Sequence, residues 1–215
     1  MRAEIIKINS DSPEASLVRY AADQVRSGEV LGMPTDTFYG LAADPFNLRA
    51  VDRVYDIKSR SRHKPLSLLI ESVDQAEDLT QPLPEEFYAL ARRFWPGPLT
   101  IIAKASSRLP LKVTANTGNV ALRVPKAKIP LAVVQAAQIP ITATSANLSG
   151  EPECTTALAV RDQLRDRISI IVDGGTSPRE VASTIVDLTD EEKRWYVLRE
   201  GAITSQEISE FFAQG

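Results

Sequence analysis

The sequence predicts a mixed α/β fold, in which strands and helices alternate along a chain of 215 residues. Short apolar runs of strand length recur between stretches whose apolar residues repeat with helical periodicity. The chain is long enough to bury a substantial core, and no long linker, internal repeat or low-complexity segment divides it. We therefore expect a single domain over residues 1–215, with helices packed around a twisted mixed sheet.

The elements of the first half are bounded by caps, glycines and prolines. Apolar runs predict strands at residues 5–8, 30–33 and 67–70. Helix starts are predicted at Ser12 and Pro13, at Asn47, at Ser72 with Gln75 in a capping box, and at Pro84. The first helix should end at Gly28, and the second should lead into a basic stretch at residues 58–64.

The second half continues the alternation after a turn at residues 95–98, where two prolines flank a glycine. Strands are predicted at residues 99–103, 120–124, 139–144, 168–172, 183–187 and 195–198, the last two as a pair. Helices are predicted from Pro130 to Ala137, after Thr156 with Leu158, Val160 and Leu164 facing inward, and after Thr204 with Glu207 in a capping box.

Composition excludes several classes of protein. The formal net charge of −3 argues against a surface coated with basic residues for nucleic acid. One Cys and one His are too few for a zinc site of Cys and His ligands or for an internal disulfide. The first residues lack an apolar segment of signal-peptide length, and no window approaches the ~18 apolar residues that span a bilayer. We expect a soluble, cytoplasmic protein that does not contact membranes.

Several catalytic motifs are also absent from the sequence. It contains neither the Gly-x-x-x-x-Gly-Lys loop of P-loop enzymes nor a Gly-x-Gly-x-x-Gly dinucleotide fingerprint. His63 lies between two cations, which would oppose the imidazolium that a general base becomes, and nothing in the sequence would activate Cys154. Asp36, Asp44 and Asp173 form no recognisable pair and are assigned to turns or caps. Polar loops at strand ends remain as the candidate site.

These loops are rich in hydroxyls, amides and cations. Residues 58–64 hold four cations and no acid in an acidic chain, which suggests an anionic ligand, although a solvated loop would look the same. Arg123 lies inside an apolar strand and must therefore meet a charge or reach water. The segments that could converge are residues 35–37, 58–64, 145–147 and 183–184, together with Arg123 and Arg199.

Eight motifs along the chain resemble those of one family and occur in the same order. They are Pro34-Thr35-Asp36-Thr37-Phe38-Tyr39-Gly40-Leu41, Lys58-Ser59-Arg60, Lys64-Pro65-Leu66, Trp95-Pro96-Gly97-Pro98-Leu99-Thr100, Leu122-Arg123-Val124-Pro125, Thr144-Ser145-Ala146-Asn147-Leu148-Ser149-Gly150, Ser183-Thr184-Ile185-Val186-Asp187 and Leu198-Arg199-Glu200-Gly201. Over roughly residues 10–205 the chain resembles the YrdC-like family, and within it the threonylcarbamoyl-adenylate synthases of the TsaC type.

The resemblance implies a single α/β domain around a large electropositive cavity. It implies a nucleotidyltransferase that makes threonylcarbamoyl-adenylate and pyrophosphate from L-threonine, bicarbonate or CO₂, and ATP. That product would supply the tRNA threonylcarbamoyl-transferase machinery. Mg²⁺ is expected with ATP, without an assigned protein ligand, whereas neither zinc nor an organic cofactor is expected. Longer members of the family carry an additional C-terminal domain, which we expect to be absent here.

The resemblance also assigns roles to the residues that match its motifs. Lys58 and Arg60 are expected to be the catalytic pair that stabilises charge on the nucleotide and the carbamate. The residues expected to bind ATP are Lys58, Arg62, Asn119, Ser145, Asn147 and Arg199. The residues expected to bind threonine are Thr35, Ser67, Arg123, Ala143, Ser183 and Thr184, with Arg123 on the carboxylate.

One departure from the family and two alternative functions are left open. Many relatives place a His shortly after Lys-Pro-Leu, whereas Ser67 follows Leu66 here, which leaves the preference for threonine open. The chain could instead be an RNA-binding protein without synthase activity, with weak affinity for tRNA, or a related carbamoyl-adenylate enzyme with another substrate. Pyrophosphate release that requires both L-threonine and bicarbonate would distinguish the synthase from these alternatives.

Overall fold

The structure is a computed structural model that describes residues 3–178, 181–190 and 192–213. Its strands are β1 (Glu4–Lys7), β2 (Leu31–Met33), β3 (Gly40–Ala42), β4 (Ser67–Leu69), β5 (Leu99–Lys104), β6 (Asn119–Arg123), β7 (Ile141–Thr142), β8 (Thr144–Ser145), β9 (Ile170–Asp173), β10 (Thr184–Asp187) and β11 (Tyr196–Arg199). Its helices are α1 (Ala15–Arg26), α2 (Leu48–Lys58), α3 (Val73–Leu79), α4 (Glu85–Phe94), α5 (Leu111–Thr114), α6 (Lys128–Ala137), α7 (Ala157–Leu164) and α8 (Ser205–Ala213). None of the helices in these ranges has both the length and the apolar character needed to cross a bilayer.

The strands form two mixed sheets. Five lie in the order β1-β9-β2-β3-β8, and six lie in the order β11-β10-β5-β6-β4-β7. Each sheet contains parallel pairs, such as β1 with β9 and β4 with β6, and antiparallel pairs, such as β2 with β3 and β5 with β6. The predicted mixed α/β class is confirmed. The division into two sheets was not predicted, because an apolar pattern indicates a strand without indicating its partner.

The five-stranded sheet is covered by helices on both faces. Ile170 and Val172 of β9 join an apolar cluster that contains the buried residues of α1 and α6. Ile171, between them, joins a larger cluster with buried residues of α2 and α7. Side chains alternate between the two faces of a sheet, so both sides of β9 are buried and its first three residues are all apolar.

The first helix begins later than predicted. The sequence predicts a start at Ser12 and Pro13, whereas α1 begins at Ala15. The Asn9 side chain accepts hydrogen bonds from the backbone N–H groups of Asp11 and Ser12, at 2.9 and 3.0 Å. Because these bonds hold both residues in a turn, the helix starts after them.

Two further helix predictions are corrected. α6 begins at Lys128 rather than at Pro130, which is its third residue. A proline fits there because the N–H groups of the first turn have no partner within the helix. In α7, Leu158 was expected to face inward but is exposed, whereas Ala157 beside it is buried.

Caps were predicted well, but very short strands were missed. The predicted caps are confirmed at Asn47, Ser72, Thr156 and Thr204, whose side chains each accept a hydrogen bond from a backbone N–H at the start of the following helix. The strand predicted over residues 139–144 is divided into β7 and the start of β8, and β3 was not predicted at all. β3 and β8 have three and two residues, too few for a periodic pattern. They pair with each other, Gly40 opposite Ser145, and this pairing brings two of the polar loops together.

Candidate active site

A cavity of about 450 Å³ is lined by residues from both sheets. Its walls come from β3 and β8 of the five-stranded sheet and from β4, β5, β6, β10 and β11 of the six-stranded sheet. The predicted site residues that line it are Thr35, Arg60, Ser67, Arg123, Ala143, Ser145, Ser183 and Arg199. The other predicted residues, Lys58, Arg62, Asn119, Asn147 and Thr184, lie outside its lining. Residues from distant parts of the chain therefore meet at one place.

The charged groups around this cavity are mostly cationic. Among the lining residues that the structure describes, Arg60, Lys64, Arg123 and Arg199 are cations and Glu153 is the one acid. The sequence analysis gave no signal for Glu153, which follows a loop of small and polar residues. A cavity with this lining suits an anionic ligand better than a cationic one.

The Lys58 ammonium is held by the loop that contains Ser145 and Asn147. Lys58 is the last residue of α2 and is 2% exposed. Its Nζ donates to the carbonyl oxygens of Ser145 and Asn147, the latter at 2.9 Å, and to Asn147 Oδ1 at 2.8 Å. The Lys58 carbonyl in turn accepts a hydrogen bond from Ser149 N–H at 2.9 Å. Because an ammonium has three donors, these acceptors engage all of them and tie α2 to the loop.

The charge on Lys58 makes the stability of the fold depend on pH. Burial, with a smaller contribution from the charge of Arg60, lowers the pKa of Lys58 from 10.5 to about 8. Between these two values the unfolded chain binds the proton more tightly than the folded protein does. The cost of burying the charge is therefore fully present below pH 8 and is relieved as the pH rises toward 10.5.

We expect wild-type protein to gain stability relative to the Lys58→Met variant as the pH rises from about 7 to about 10. Other groups that titrate in this range are common to both proteins, so they largely cancel from the difference. The difference in free energy of unfolding is measured by urea denaturation at both pH values. A difference that stays constant with pH would contradict the lowered pKa of Lys58.

The Arg60 side chain does not share the contacts of Lys58 with residues 145–147, because α2 ends between these two residues. Ser59 caps α2 in the left-handed conformation, with φ of 49°, which redirects the chain. Arg60 Nη2 donates to the Pro65 carbonyl at 2.9 Å, and the side chain lines the cavity. Burial lowers the pKa of Arg60, but a guanidinium remains charged in proteins. Arg60 is therefore a permanent, anchored charge at the cavity wall.

Arg123 ends β6, and its charge meets an acid. Its Nη2 pairs with Asp36 Oδ1, its Nη1 donates to Thr37 Oγ1 at 3.1 Å, and its Nε donates to the Gly97 carbonyl at 3.0 Å. Arg123 is 7% exposed and Asp36 is 6% exposed. The prediction that Arg123 must meet a charge or reach water is confirmed. Asp36, predicted from the sequence to be a turn or cap residue, is the charged partner of Arg123.

Ser183 and Arg199 form another polar part of the wall. Ser183 Oγ lies 2.9 Å from Thr100 Oγ1, and Arg199 Nη2 donates to the Ser183 carbonyl at 2.7 Å. Burial lowers the pKa of Arg199. The neighbouring Thr184 is fully buried, and its hydroxyl donates to the Ile203 carbonyl at 2.5 Å. Ser183 therefore lines the cavity, whereas Thr184 links β10 to the segment that precedes α8.

Two hydroxyls at the predicted threonine site donate to the backbone. Thr35 Oγ1 donates to the Phe38 carbonyl at 2.7 Å, and Ser67 Oγ donates to the Ala143 carbonyl at 3.2 Å. A hydroxyl has one hydrogen to donate, so in this arrangement Ser67 presents its oxygen lone pairs to a ligand. Such an oxygen can accept a hydrogen bond from an ammonium or amine.

Arg62 and Asn119 make contacts away from the cavity. The exposed Arg62 pairs with Asp52 and, at 2.8 Å, with Asp56 on α2. Asn119 Nδ2 donates to Thr189 Oγ1 at 3.1 Å. The structure therefore does not bring these two side chains to the cavity, and their contacts with ATP stay predictions.

Two residues that line the cavity were not predicted as site residues. Thr100, the partner of Ser183, is a polar residue at the second position of the apolar strand β5, which was a usable signal. His63, set aside as a general base, lines the cavity and is exposed. Its neighbours in the sequence are cationic, so its position suits contact with an anion more than proton abstraction.

Most of the chain matches one protein family. The chain matches the family model for Sua5, YciO and YrdC proteins, described as "Telomere recombination", over residues 23–201. The chain belongs to the Sua5/YciO/YrdC family. All the cavity residues from Thr35 to Arg199 fall within the matched region, and the resemblance predicted from eight motifs is confirmed.

Two curated members of the family are named threonylcarbamoyl-AMP synthase. The protein of Pyrococcus abyssi (strain GE5 / Orsay) is 38% identical over 199 residues, which cover 92% of this chain and 57% of the relative. The protein of Bacillus subtilis (strain 168) is 39% identical over 203 residues, which cover 94% of this chain and 57% of the relative. This chain thus spans less than two thirds of the length of either relative.

A solved structure in the family has the same fold. It is the crystal structure of Pyrococcus abyssi Sua5 complexed with L-threonine, which is 37% identical and aligns with a TM-score of 0.92. The alignment covers 97% of this chain and 61% of the Sua5 chain. The α/β architecture is thereby confirmed over almost the whole chain.

Proposed function

We propose that this chain makes L-threonylcarbamoyl-adenylate and pyrophosphate from L-threonine, bicarbonate or CO₂, and ATP. The observation that carries the proposal is the similarity to two threonylcarbamoyl-AMP synthases over 92% and 94% of the chain. A similar solved structure is described as a complex with L-threonine, which supports the choice of amino acid. The activity would be that of a nucleotidyltransferase.

The proposed reaction brings several anions together. The threonine amine adds to the carbon of CO₂, forming an N–C bond and losing a proton, to give a carbamate. A carbamate oxygen then attacks the α-phosphorus of ATP, and the bond to pyrophosphate breaks with its electron pair. At ~4 Å and an effective dielectric constant near ~20, each contact between like charges costs about 4 kcal/mol. Fixed cations are therefore the main requirement of the site.

The cavity supplies such cations on its described walls. Arg123 would bind the threonine carboxylate through its planar fork of N–H groups, and Arg60 would stabilise charge on the carbamate and phosphates. Arg199, close to Ser183, would face the nucleotide. Lys58 would act with Asn147, whose side chain and carbonyl it already contacts.

The remaining predicted residues divide between the two substrates. On the threonine side, the lining residues Thr35, Ser67, Ala143 and Ser183 would surround the amino acid, with the Ser67 oxygen available to its amine. On the nucleotide side, Ser145 lines the cavity and contacts Asn147 at 2.6 Å. A change in structure on substrate binding would be needed to bring three further predicted residues into contact with ATP or threonine. They are Arg62, Asn119 and Thr184.

Magnesium is proposed to enter with ATP, bound to its phosphates. The ion prefers oxygen ligands, and the described cavity offers the Glu153 carboxylate together with several hydroxyls. Glu153 is therefore the side chain that we assign to the hydrated ion. When bound, magnesium would neutralise charge on the phosphates and on the departing pyrophosphate.

The place of the reaction follows from its substrates and product. ATP and tRNA are both cytoplasmic, and we propose that the chain works there. The mixed anhydride that it would make is reactive, so the enzyme that transfers the threonylcarbamoyl group to tRNA would be its partner. Weak binding of tRNA to the chain itself stays a prediction.

Pyrophosphate release from ATP tests this proposal. We expect release that requires L-threonine and bicarbonate together, and that falls to background when either is omitted. Replacing L-threonine by L-serine tests whether Ser67, in place of a histidine, changes side-chain selectivity. Affinity for tRNA that falls steeply with salt, without any pyrophosphate release, would favour the RNA-binding alternative instead.

A further inference from the structure

The ion pair of Asp36 and Arg123 separates two cavities. Arg123 lines the cavity between the sheets, whereas Asp36 is absent from that lining. Asp36 instead lines a separate cavity of about 470 Å³. The Asp36 carboxylate therefore does not line the first cavity itself, but it contacts a guanidinium that does.

Among the residues that the structure describes, three groups accept hydrogen bonds from that guanidinium. Asp36 Oδ1 accepts from Nη2, Thr37 Oγ1 accepts from Nη1, and the Gly97 carbonyl accepts from Nε. Gly97 is itself held in place, because its N–H donates to the Val124 carbonyl at 3.0 Å and its Cα packs closely against the Phe94 carbonyl oxygen. Of these three described acceptors, Asp36 is the charged one, and a charged acceptor forms a stronger hydrogen bond than a neutral one.

The two oxygens of the Asp36 carboxylate differ in their contacts. Oδ1 contacts Arg123. Oδ2 is buried and has no hydrogen-bond partner in the ranges that the structure describes. Removing the charge of Asp36 would have two opposed effects on an anion bound by Arg123. The guanidinium would lose a competing negative charge, which favours the anion, but it would also lose a charged group that restrains Nη2, which disfavours the anion.

We infer that the restraint is the larger effect and that Asp36 is a positioning residue, which orients Arg123 for the carboxylate of the amino acid substrate. The inference rests on the proposed function. Bidentate recognition depends on the plane of the guanidinium, and a small misplacement of a substrate-binding group can cost about a hundredfold in rate.

The Asp36→Asn variant tests this inference, because it removes the charge and keeps the size. We expect the KM for L-threonine to rise by about tenfold or more, with the KM for ATP unchanged. Calorimetric titration with L-threonine should show the same loss of affinity. The matched control is Glu86→Gln. Glu86 lies on α4, is 9% exposed and pairs with Arg194 at 2.5 Å, and it is not part of the cavity lining. A structural role alone would lower thermal stability in both variants and leave both KM values unchanged.

The conservative variant Asp36→Glu keeps the charge but moves it by one methylene group. We expect it to raise the KM for L-threonine less than Asp36→Asn does, and it decides the question if Asp36→Asn does not fold. If the folded variants have a KM for L-threonine equal to or below that of wild type, the positioning role of Asp36 is wrong, whereas the proposed function is unaffected. Wild-type protein without threonine-dependent pyrophosphate release overturns the proposed function, and this inference with it.

Discussion

Replacing Lys58 by methionine is expected to lower the rate of pyrophosphate release by about a thousandfold. Methionine has a similar length but no donor, so the Ser145 and Asn147 carbonyls lose the ammonium that holds them. The loop that lines the cavity would then lose its fixed position, and the site would lose a positive charge. A loss of this size corresponds to about 4 kcal/mol of transition-state stabilisation.

Stability should change much less than activity in this variant. Each buried carbonyl left without a donor costs about 1–3 kcal/mol, but the variant also removes a charge whose burial is itself costly. These two effects change the free energy of unfolding in opposite directions, and thermal unfolding measures their sum. Lys104→Met is the control, because Lys104 is an exposed lysine at the end of β5. If Lys58→Met loses thermal stability to the same extent as it loses pyrophosphate release, the role of Lys58 is purely structural.

Replacing Arg60 by alanine is expected to lower kcat/KM by about a hundredfold or more. Arg60 lines the cavity and is anchored by the Pro65 carbonyl, so it is a charge that needs no reorganisation when the anions arrive. Arg60→Lys should recover only part of the activity, because an ammonium keeps the charge and loses the planar fork. Initial rates at varied ATP and threonine concentrations measure both variants.

The matched control for Arg60 is Arg108→Ala. Arg108 is exposed and pairs with Asp78 at 3.3 Å, away from the cavity lining. Surface pairs of this kind contribute little to stability, so this variant should resemble wild type in both stability and turnover. Equal rates for Arg60→Ala and wild type would remove Arg60 from the catalytic pair.

The sequence predicted those parts of the fold that depend on neighbouring residues. The caps at Ser72 and Thr156 are local, because the side chain and the N–H that it accepts from lie three residues apart. The prediction for Arg123 was also local, since an arginine in an apolar strand needs a charge or water wherever the strand lies. What the sequence did not supply was the identity of that charge, Asp36.

The parts that were missed depend on contacts between distant residues. Lys58 and Asn147 are 89 positions apart. No pattern in the sequence indicates that the Lys58 ammonium donates its hydrogen bonds to Ser145 and Asn147. The charge of residues 58–64 suggested one binding surface, but the helix end at Ser59 separates Lys58 from Arg60, and Arg62 pairs with α2. Spacing in the sequence therefore identified the cations without showing which of them line the cavity.

The most direct test of the proposed function is to identify the product. The chain is incubated with ATP, L-threonine and ¹³C-labelled bicarbonate, and the nucleotides are analysed by mass spectrometry. We expect a threonylcarbamoyl-adenylate that carries the label, formed in equal amount to pyrophosphate and reduced to trace levels in Lys58→Met. Conversion of ATP without transfer of the label to an adenylate, or no conversion in wild-type protein, would contradict the proposed function.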